Sequence, residues 1–334
     1  MRRKGVSTSG LKDGWNNRMI LCCGEALIDF VPTAGGDAYR PVPGGSIFNI
    51  AIGLGRLGTA VGFFGKLSTD FFGERLLQTL RANEVDSTLT LRSAAPTSLA
   101  FVDLPDGESR EPRYLFYADS AADRSLTTDE LPRHLPANIQ ALHFGSISLV
   151  LEPGASTLEA LMRREAGQRL ISLDPNVRPS LIQDRDRYRV RFENWLALAD
   201  ILRLSRADIG WMYPDRSPED LFQEWFRRGV SLAILTQGAD GAIGWTADGV
   251  TASASALQVQ VVDTVGAGDS FLSAALFYLD REGLLRSKVA LRRLPADSLQ
   301  HCLQFANRAA AITCSRAGAD SPYLHELEAN PRAG

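Results

Sequence analysis

Asp263-Thr264-Val265-Gly266-Ala267-Gly268-Asp269-Ser270 runs directly into an apolar stretch, residues 271–279. Three small residues let the backbone come close to a bound group. They also open a helix whose first N–H groups lack intrahelical partners, and those donors, with the positive end of the helix dipole, suit an anion. Asp269 sits just inside the turn. A carboxylate there would repel a static phosphate, but it is useful beside a phosphoryl group in transfer, where a base must take a hydroxyl proton. A strand-to-helix turn whose acids merely cap the helix fits the same four residues, so the rest of the chain has to decide.

Working outward, apolar runs of strand length alternate with amphipathic helical segments. After a first strand beginning at Met19, 47–57 reads as helix, 60–64 as strand and 70–83 as helix, with Phe71, Leu76, Leu77 and Leu80 on one side. Beyond residue 140 the alternation is strict. Strand-like 141–144, 170–173, 201–204 and 232–235 are separated by helices near 155–167, 188–199 and 218–228. Apolar strands divided by helices predict an α/β fold: a central, mostly parallel sheet covered on both faces. Residues 97–117 depart from the pattern. Two strand-like runs flank the polar turn Pro105-Asp106-Gly107, which predicts a hairpin. Together with 30–42 it would form a small β-sheet lid outside the main domain.

Gly53-Leu54-Gly55-Arg56-Leu57-Gly58 matches the spacing of a dinucleotide fingerprint. That motif needs a strand before it and a helix opening within it. Here the preceding residues read as the body of a helix, so the glycines are expected to end that helix and pack it closely. A second candidate site lies upstream. Gly24-Glu25-Ala26-Leu27-Ile28-Asp29 is read as the end of the first strand, and Pro43-Gly44-Gly45-Ser46-Ile47-Phe48-Asn49 as the opening of the next helix. Asp29 accepts hydrogen bonds from hydroxyls, Asn49 both donates and accepts, and Gly44 and Gly45 admit a ligand against bare backbone. Vicinal hydroxyls on a polyol need that mixture; bracing of turns is the plainer use of the same residues.

Composition sets limits. A chain of 334 residues with 45% hydrophobic and 22% charged residues buries one large core or two modest ones. A net charge of -3 provides no general attraction to nucleic acid or anionic membranes. No apolar run approaches the ~20 residues that span a bilayer. Cys22, Cys23, Cys302 and Cys314 form no disulfide framework, and a reducing cytoplasm is the expected location. Residues 1–18 are basic and polar with no apolar segment following, which predicts a disordered extension rather than a secretory signal. The main domain is expected over 19–325, followed by a C-terminal tail at 326–334.

The string around Asp269 resembles the C-terminal signature of the ribokinase-like (PfkB) carbohydrate kinases, and several segments resemble bacterial fructokinases in wording. These include 21–29, Asp174-Pro175-Asn176-Val177-Arg178 and Thr236-Gln237-Gly238-Ala239-Asp240-Gly241. The resemblance spans about residues 20–323. It implies a ribokinase-like fold, ATP and Mg²⁺ as cosubstrate and cofactor, and a homodimer formed through the lid. It implies Asp269 as catalytic base and the amides of Gly266, Ala267 and Gly268 as anion hole. Asp29, Gly44, Gly45, Asn49 and Arg178 would bind the sugar. Asn176, Ser205, Thr236, Gly238, Gly241 and Asn307 would face the nucleotide. Asp208 would orient Mg²⁺ through water, and Asp263, near the loop Arg316-Ala317-Gly318, would bind a monovalent cation such as K⁺. The chain departs from the family pattern at Ile47, at Ser68, and at Ser205-Arg206-Ala207-Asp208, where Asn-x-x-Glu is usual.

The expected activity is transfer of the γ-phosphoryl group of ATP to a primary hydroxyl of a small sugar, D-fructose giving fructose 6-phosphate. A kinase for 2-keto-3-deoxygluconate, with Arg178 or Arg113 pairing to the acid, is the nearer alternative. A catalytically silent sugar-binding homologue is the other.

Overall fold

Ile20, Leu21, Cys22 and Cys23 are all fully buried, yet they serve two different cores. Side chains alternate across a strand, so Ile20 and Cys22 join one cluster and Leu21 and Cys23 the other. A continuous apolar run therefore marks a strand covered on both faces. The computed structural model describes residues 18–33, 38–103 and 113–329. The predicted extension up to residue 17, the turn at 105–107 and the end of the tail lie outside them.

In chain order the described elements begin with β1 (Met19–Cys23), β2 (Leu27–Pro32), β3 (Tyr39–Gly44), α1 (Ser46–Arg56), β4 (Val61–Phe64), β5 (Lys66–Ser68), α2 (Phe71–Ala82) and β6 (Leu91–Ser93). There follow β7 (Leu99–Asp103), β8 (Arg113–Tyr117), β9 (Ile139–Gly145), α3 (Gly154–Glu165), β10 (Leu170–Asp174), α4 (Arg185–Leu196), β11 (Ile201–Ser205), α5 (Arg206–Met212) and α6 (Pro218–Arg228). The chain continues through β12 (Leu232–Thr236), β13 (Ala242–Thr246), β14 (Thr251–Ala254), α7 (Ala267–Arg281), α8 (Lys288–Arg292), α9 (Ala296–Cys314) and α10 (Leu324–Glu328).

Eight strands form the main sheet in the order β14-β13-β12-β11-β10-β9-β1-β4. Pairings from β4 to β12 are parallel, and β13 and β14 close the edge antiparallel. The helices α1, α7 and α9 cover one face, and α3, α4, α5 and α6 the other. This is the α/β architecture that the alternation predicts. The order reverses at β1, which has β4 on one side and β9 on the other, and ligands of open α/β sheets settle at such switch points, outside the carboxyl ends of the strands.

The glycine-rich run at 53–58 closes α1 as expected. Gly53 and Gly55 lie inside the helix and are packed tightly: a Cβ on Gly55 would meet the Asn83 carbonyl oxygen at 2.0 Å. Gly58 follows the helix at φ +84.

One boundary differs from the sequence reading. The first strand stops at Cys23, and Asp29 lies on β2, a strand of the separate four-stranded sheet β3-β2-β7-β8. The cause is Glu25, whose N–H donates to Ser148 Oγ and whose carboxylate accepts the first amides of α1. Those bonds draw the chain out of the main sheet before it resumes as β2. The small sheet thus starts at Leu27 and runs to Gly44 on its first hairpin. On its inner face Asp29, Ala100 and Phe116 are register partners; on its outer face Phe30, Phe101 and Leu115 are.

Candidate active site

Asp269 is buried at the first turn of α7, and every contact it makes constrains its chemistry. Ser46 Oγ donates to its Oδ1 at 2.7 Å and Asn49 Nδ2 to its Oδ2 at 2.9 Å, both from the first turn of α1. Ser46 in turn accepts from Asn176 Nδ2 at 2.9 Å, and Asn176 Oδ1 accepts from Arg178 at 2.6 Å. A guanidinium cannot accept, so the direction of this relay is set from its far end. Asn176 must offer its oxygen to Arg178 and its amide to Ser46, which leaves Ser46 its proton to give Asp269. The relay terminates on an acceptor, the Asp269 carboxyl group. Burial pushes Asp269 above the ordinary carboxylate range, while the bonds from Asn49 and Ser46 and the charges of Arg178 and Arg203 pull it back.

The turn before Asp269 leaves backbone donors that an anion could use. Gly266 caps α7 at φ +75, a left-handed conformation, and a Cβ there would lie 2.4 Å from Ala319 Cβ. The Ala267 N–H folds back on the Thr264 carbonyl at 3.2 Å. Those of Gly266, Gly268 and Asp269 donate to no group among the described residues, so they stand available at the positive end of a 15-residue helix. Beside this turn, Asp263 Oδ1 accepts from the Val265 N–H at 3.0 Å and its Oδ2 from the Gly318 N–H at 2.8 Å. The carboxylate thereby ties the anion turn to the late loop.

Two hollows meet at Asp269 and Gly266–Gly268. One, about 420 Å³, is lined by Asp29, Gly45, Ser46, Asn49, Tyr114, Phe116, Arg178 and Asp269. Its polar side is suited to hydroxyls. Burial and the neighbouring Asp269 raise Asp29 to about 7, with Arg178 opposing. Gly44 has no room to spare: a Cβ there would sit 2.0 Å from Asp29 Oδ2. Arg178 stacks on Tyr114, 5.5 Å from the ring centroid, and among the described residues it closes no ion pair within 4 Å. The Arg113 side chain lies outside the described residues.

The second hollow, about 1100 Å³, is lined by Ser205, Thr236, Gly238, Gly241, Asn307 and the apolar Val259, Val261 and Ala311. Gly238 and Gly241 adopt φ +62 and +96, which a β-carbon would resist. Asn307 spends its amide on the carbonyls of Ala254 and Ser255, at 2.9 and 3.1 Å, leaving its oxygen as the free group. Ser205 and Asp208 form a capping box on α5. The Asp208 oxygens accept from Val177 N, Ser205 N and Ser205 Oγ. About one lone pair remains, enough for a water-bridged metal and too few for chelation. Among the described residues no cluster of three or more His, Cys, Asp or Glu could hold a metal ion.

The structure therefore gathers Asp29, Gly45, Asn49, Arg178 and Asp269 around one hollow, with Gly44 packed against Asp29, and Ser205, Thr236, Gly238, Gly241 and Asn307 around the other; Asn176, expected to face the nucleotide, lies instead with Asp208 in the space between them. Sequence reasoning missed Ser46, Glu25, Asp174 and Arg203. For Arg203 a signal was present: a lone cation within the apolar strand Ile201-Leu202-Arg203-Leu204 must have buried partners. Ser46 and Glu25 carried none.

Residues 17–326 match the family described as pfkB family carbohydrate kinase. The chain is 43% identical over 273 residues to a fructokinase of Rhizobium leguminosarum bv. trifolii, covering 81% of this chain and 82% of the relative. It superposes on the crystal structure of fructokinase with bound ATP from Xylella fastidiosa with a TM-score of 0.85 at 28% identity, covering 94% and 98% of the two chains. The fructokinase of Vibrio cholerae O395 in its fructose, ADP and calcium ion bound form gives a TM-score of 0.80 at 25% identity, covering 94% and 99%.

Proposed function

Because the chain belongs to the pfkB family of carbohydrate kinases, we propose that it is an ATP-dependent fructokinase that converts D-fructose to fructose 6-phosphate. The observation that carries this is the single turn holding both a base and free amides, placed where the hydroxyl-suited hollow meets the longer groove. Fructose would lie against Asp29, Gly44, Gly45 and Asn49, and ATP in the groove bordered by Ser205, Thr236, Gly238, Gly241 and Asn307. Asp269 takes the proton of the primary hydroxyl, and the oxygen so freed attacks the γ-phosphorus. The bond to the bridging oxygen breaks and ADP leaves with the electron pair. The amides of Gly266 and Gly268 face the charge that accumulates on the phosphoryl oxygens.

Mg²⁺ bound with the nucleotide would neutralise phosphate charge, with Asp208 holding it through water. A monovalent cation at Asp263 would brace the joint between the anion turn and the Gly318 loop. The outer face of the small sheet, where Tyr39, Leu115 and Tyr117 are exposed, suits pairing with a second copy of the chain. Among the described residues no helix is long and apolar enough to cross a membrane, and the four cysteines are free thiols, which fits a cytoplasmic enzyme.

Arg178, which has no carboxylate partner among the described residues, favours a second reading in which the substrate is a sugar acid such as 2-keto-3-deoxygluconate. A panel of sugars and sugar acids, assayed for ATP consumption, separates the two. Fructose is expected to give the highest kcat/KM, and Asp269→Asn to lower kcat roughly 10²- to 10⁴-fold. Near-wild-type turnover by Asp269→Asn would defeat the assignment of the base, and faster turnover of the acid would defeat that of the sugar.

A further inference from the structure

Arg203 sits on β11 with its side chain only 7% exposed, a position in which a charge needs partners. Its Nη1 donates to Asp174 Oδ2 at 2.9 Å and its Nη2 to Thr236 Oγ1 at 2.6 Å, so the guanidinium links the carboxyl ends of β10 and β12. The plane lies against Gly268: a Cβ on that glycine would meet Nη2 at 2.9 Å, Nη1 at 3.1 Å and Cζ at 3.3 Å. Arg203 lines the nucleotide groove, and it also lines the hollow that holds Arg178, Asp208 and Asp269. Among the described residues its Nε has no hydrogen-bond partner.

We propose that Arg203 is a positioning residue of the transfer site: clamped by Asp174 and Thr236, it backs the Gly266–Gly268 turn and supplies a fixed buried positive charge where the two hollows meet. Three carboxylates, Asp174, Asp208 and Asp269, surround that point, and the arriving phosphoryl group adds further negative charge. Burial disfavours the guanidinium's charge, and these acids more than offset it. A preorganised cation under the anion turn gains in strength as charge builds on the phosphoryl oxygens, because it needs no rearrangement. An alanine at 268 would press its methyl group on the guanidinium and shift it from this seat.

The plain alternative is that Arg203 only neutralises the buried Asp174. A paired substitution separates the two, since Asp174→Asn with Arg203→Met removes both charges and leaves neither unpaired. The inference predicts a double variant that melts close to the wild type and has at least a tenfold lower kcat, with the KM for fructose within threefold. A double variant with wild-type kcat would overturn it. If the methionine variants do not fold, Arg203→Lys is measured instead. Lysine keeps the charge but its single nitrogen cannot hold Asp174 and Thr236 together, so at least a fivefold loss of kcat is expected with the KM for fructose within threefold; wild-type kcat overturns the inference. The proposal rests on the kinase reading, and wild-type turnover of fructose measured alongside tests that reading separately. An inactive wild type defeats both, whereas an active wild type with an equally active double variant defeats only the role of Arg203.

Discussion

Replacing Asp29 with Asn should make the protein more stable and the enzyme worse, and both effects can be sized. Burial and the nearby Asp269 raise the Asp29 carboxyl from 3.8 to about 7 in the folded chain. A raised acid pKa means that the folded state holds its proton where the unfolded chain has lost it. Stability therefore falls as pH rises from about 4 to about 7, and the ionised group burdens the fold above that. Moving the carboxyl from 3.8 to about 7 is worth ~4 kcal/mol at most. With unfolding entropy of roughly 2.1 cal/mol/K per residue, that corresponds to about 5–6 °C in Tm for a chain of this length. Asparagine has no charge to bury. Thermal melts without sugar should show little difference near pH 4.5 and a growing advantage for Asp29→Asn, reaching its plateau by about pH 8. At pH 8 the loss of a charged acceptor for sugar hydroxyls, worth about 1.5–3 kcal/mol, should raise the KM for fructose roughly 10- to 100-fold. A variant that melts at or below the wild type at pH 8, or whose advantage does not vary with pH, would refute the burial argument. An unchanged KM would refute the contact with sugar.

Other substitutions address the close approaches. Gly44→Ala places a Cβ 2.0 Å from Asp29 Oδ2, so it should raise the fructose KM at least tenfold while the KM for ATP stays put; equal changes in both would point to misfolding instead. Gly266→Ala combines φ +75 with a 2.4 Å approach to Ala319 Cβ, and a strain of about 1–3 kcal/mol at the anion turn should appear as a lower kcat and a lower Tm in calorimetry. A Gly266→Ala enzyme with wild-type kcat would show that the left-handed turn is dispensable for transfer.

Much of the fold is legible in local pattern. The alternation of apolar strands with helices beyond residue 140 anticipates β9 to β12 and their crossover helices to within a few residues. The reason is physical: a strand buried on both faces has to be apolar throughout, and a helix covering it needs one apolar stripe. The glycines at 53–58 were readable as a helix end because the helical period ran straight into them. The misplaced end of the first strand has the opposite cause. Residues 24–29 look like a continuation of β1, and only Glu25, bonding to Ser148 and to the amides of α1, turns the chain away.

Local pattern was enough for the α/β class, the turn at Asp269 and the candidates Asp29, Asn49 and Arg178, because periodicity, glycine and carboxylate chemistry are local properties, whereas Ser46 left no trace in it. Tertiary structure alone decided how those groups are used. Ser46 and Asn49 lie more than 200 positions from Asp269, and the direction of the relay from Arg178 depends on contacts that bring three separate segments together. The burial that raises Asp29, and the seat of Arg203 beneath Gly268, likewise arise only when β2, β11 and α7 converge. Hydrogen-bond partners and desolvation are set by distance in space, and spacing along the chain does not encode them.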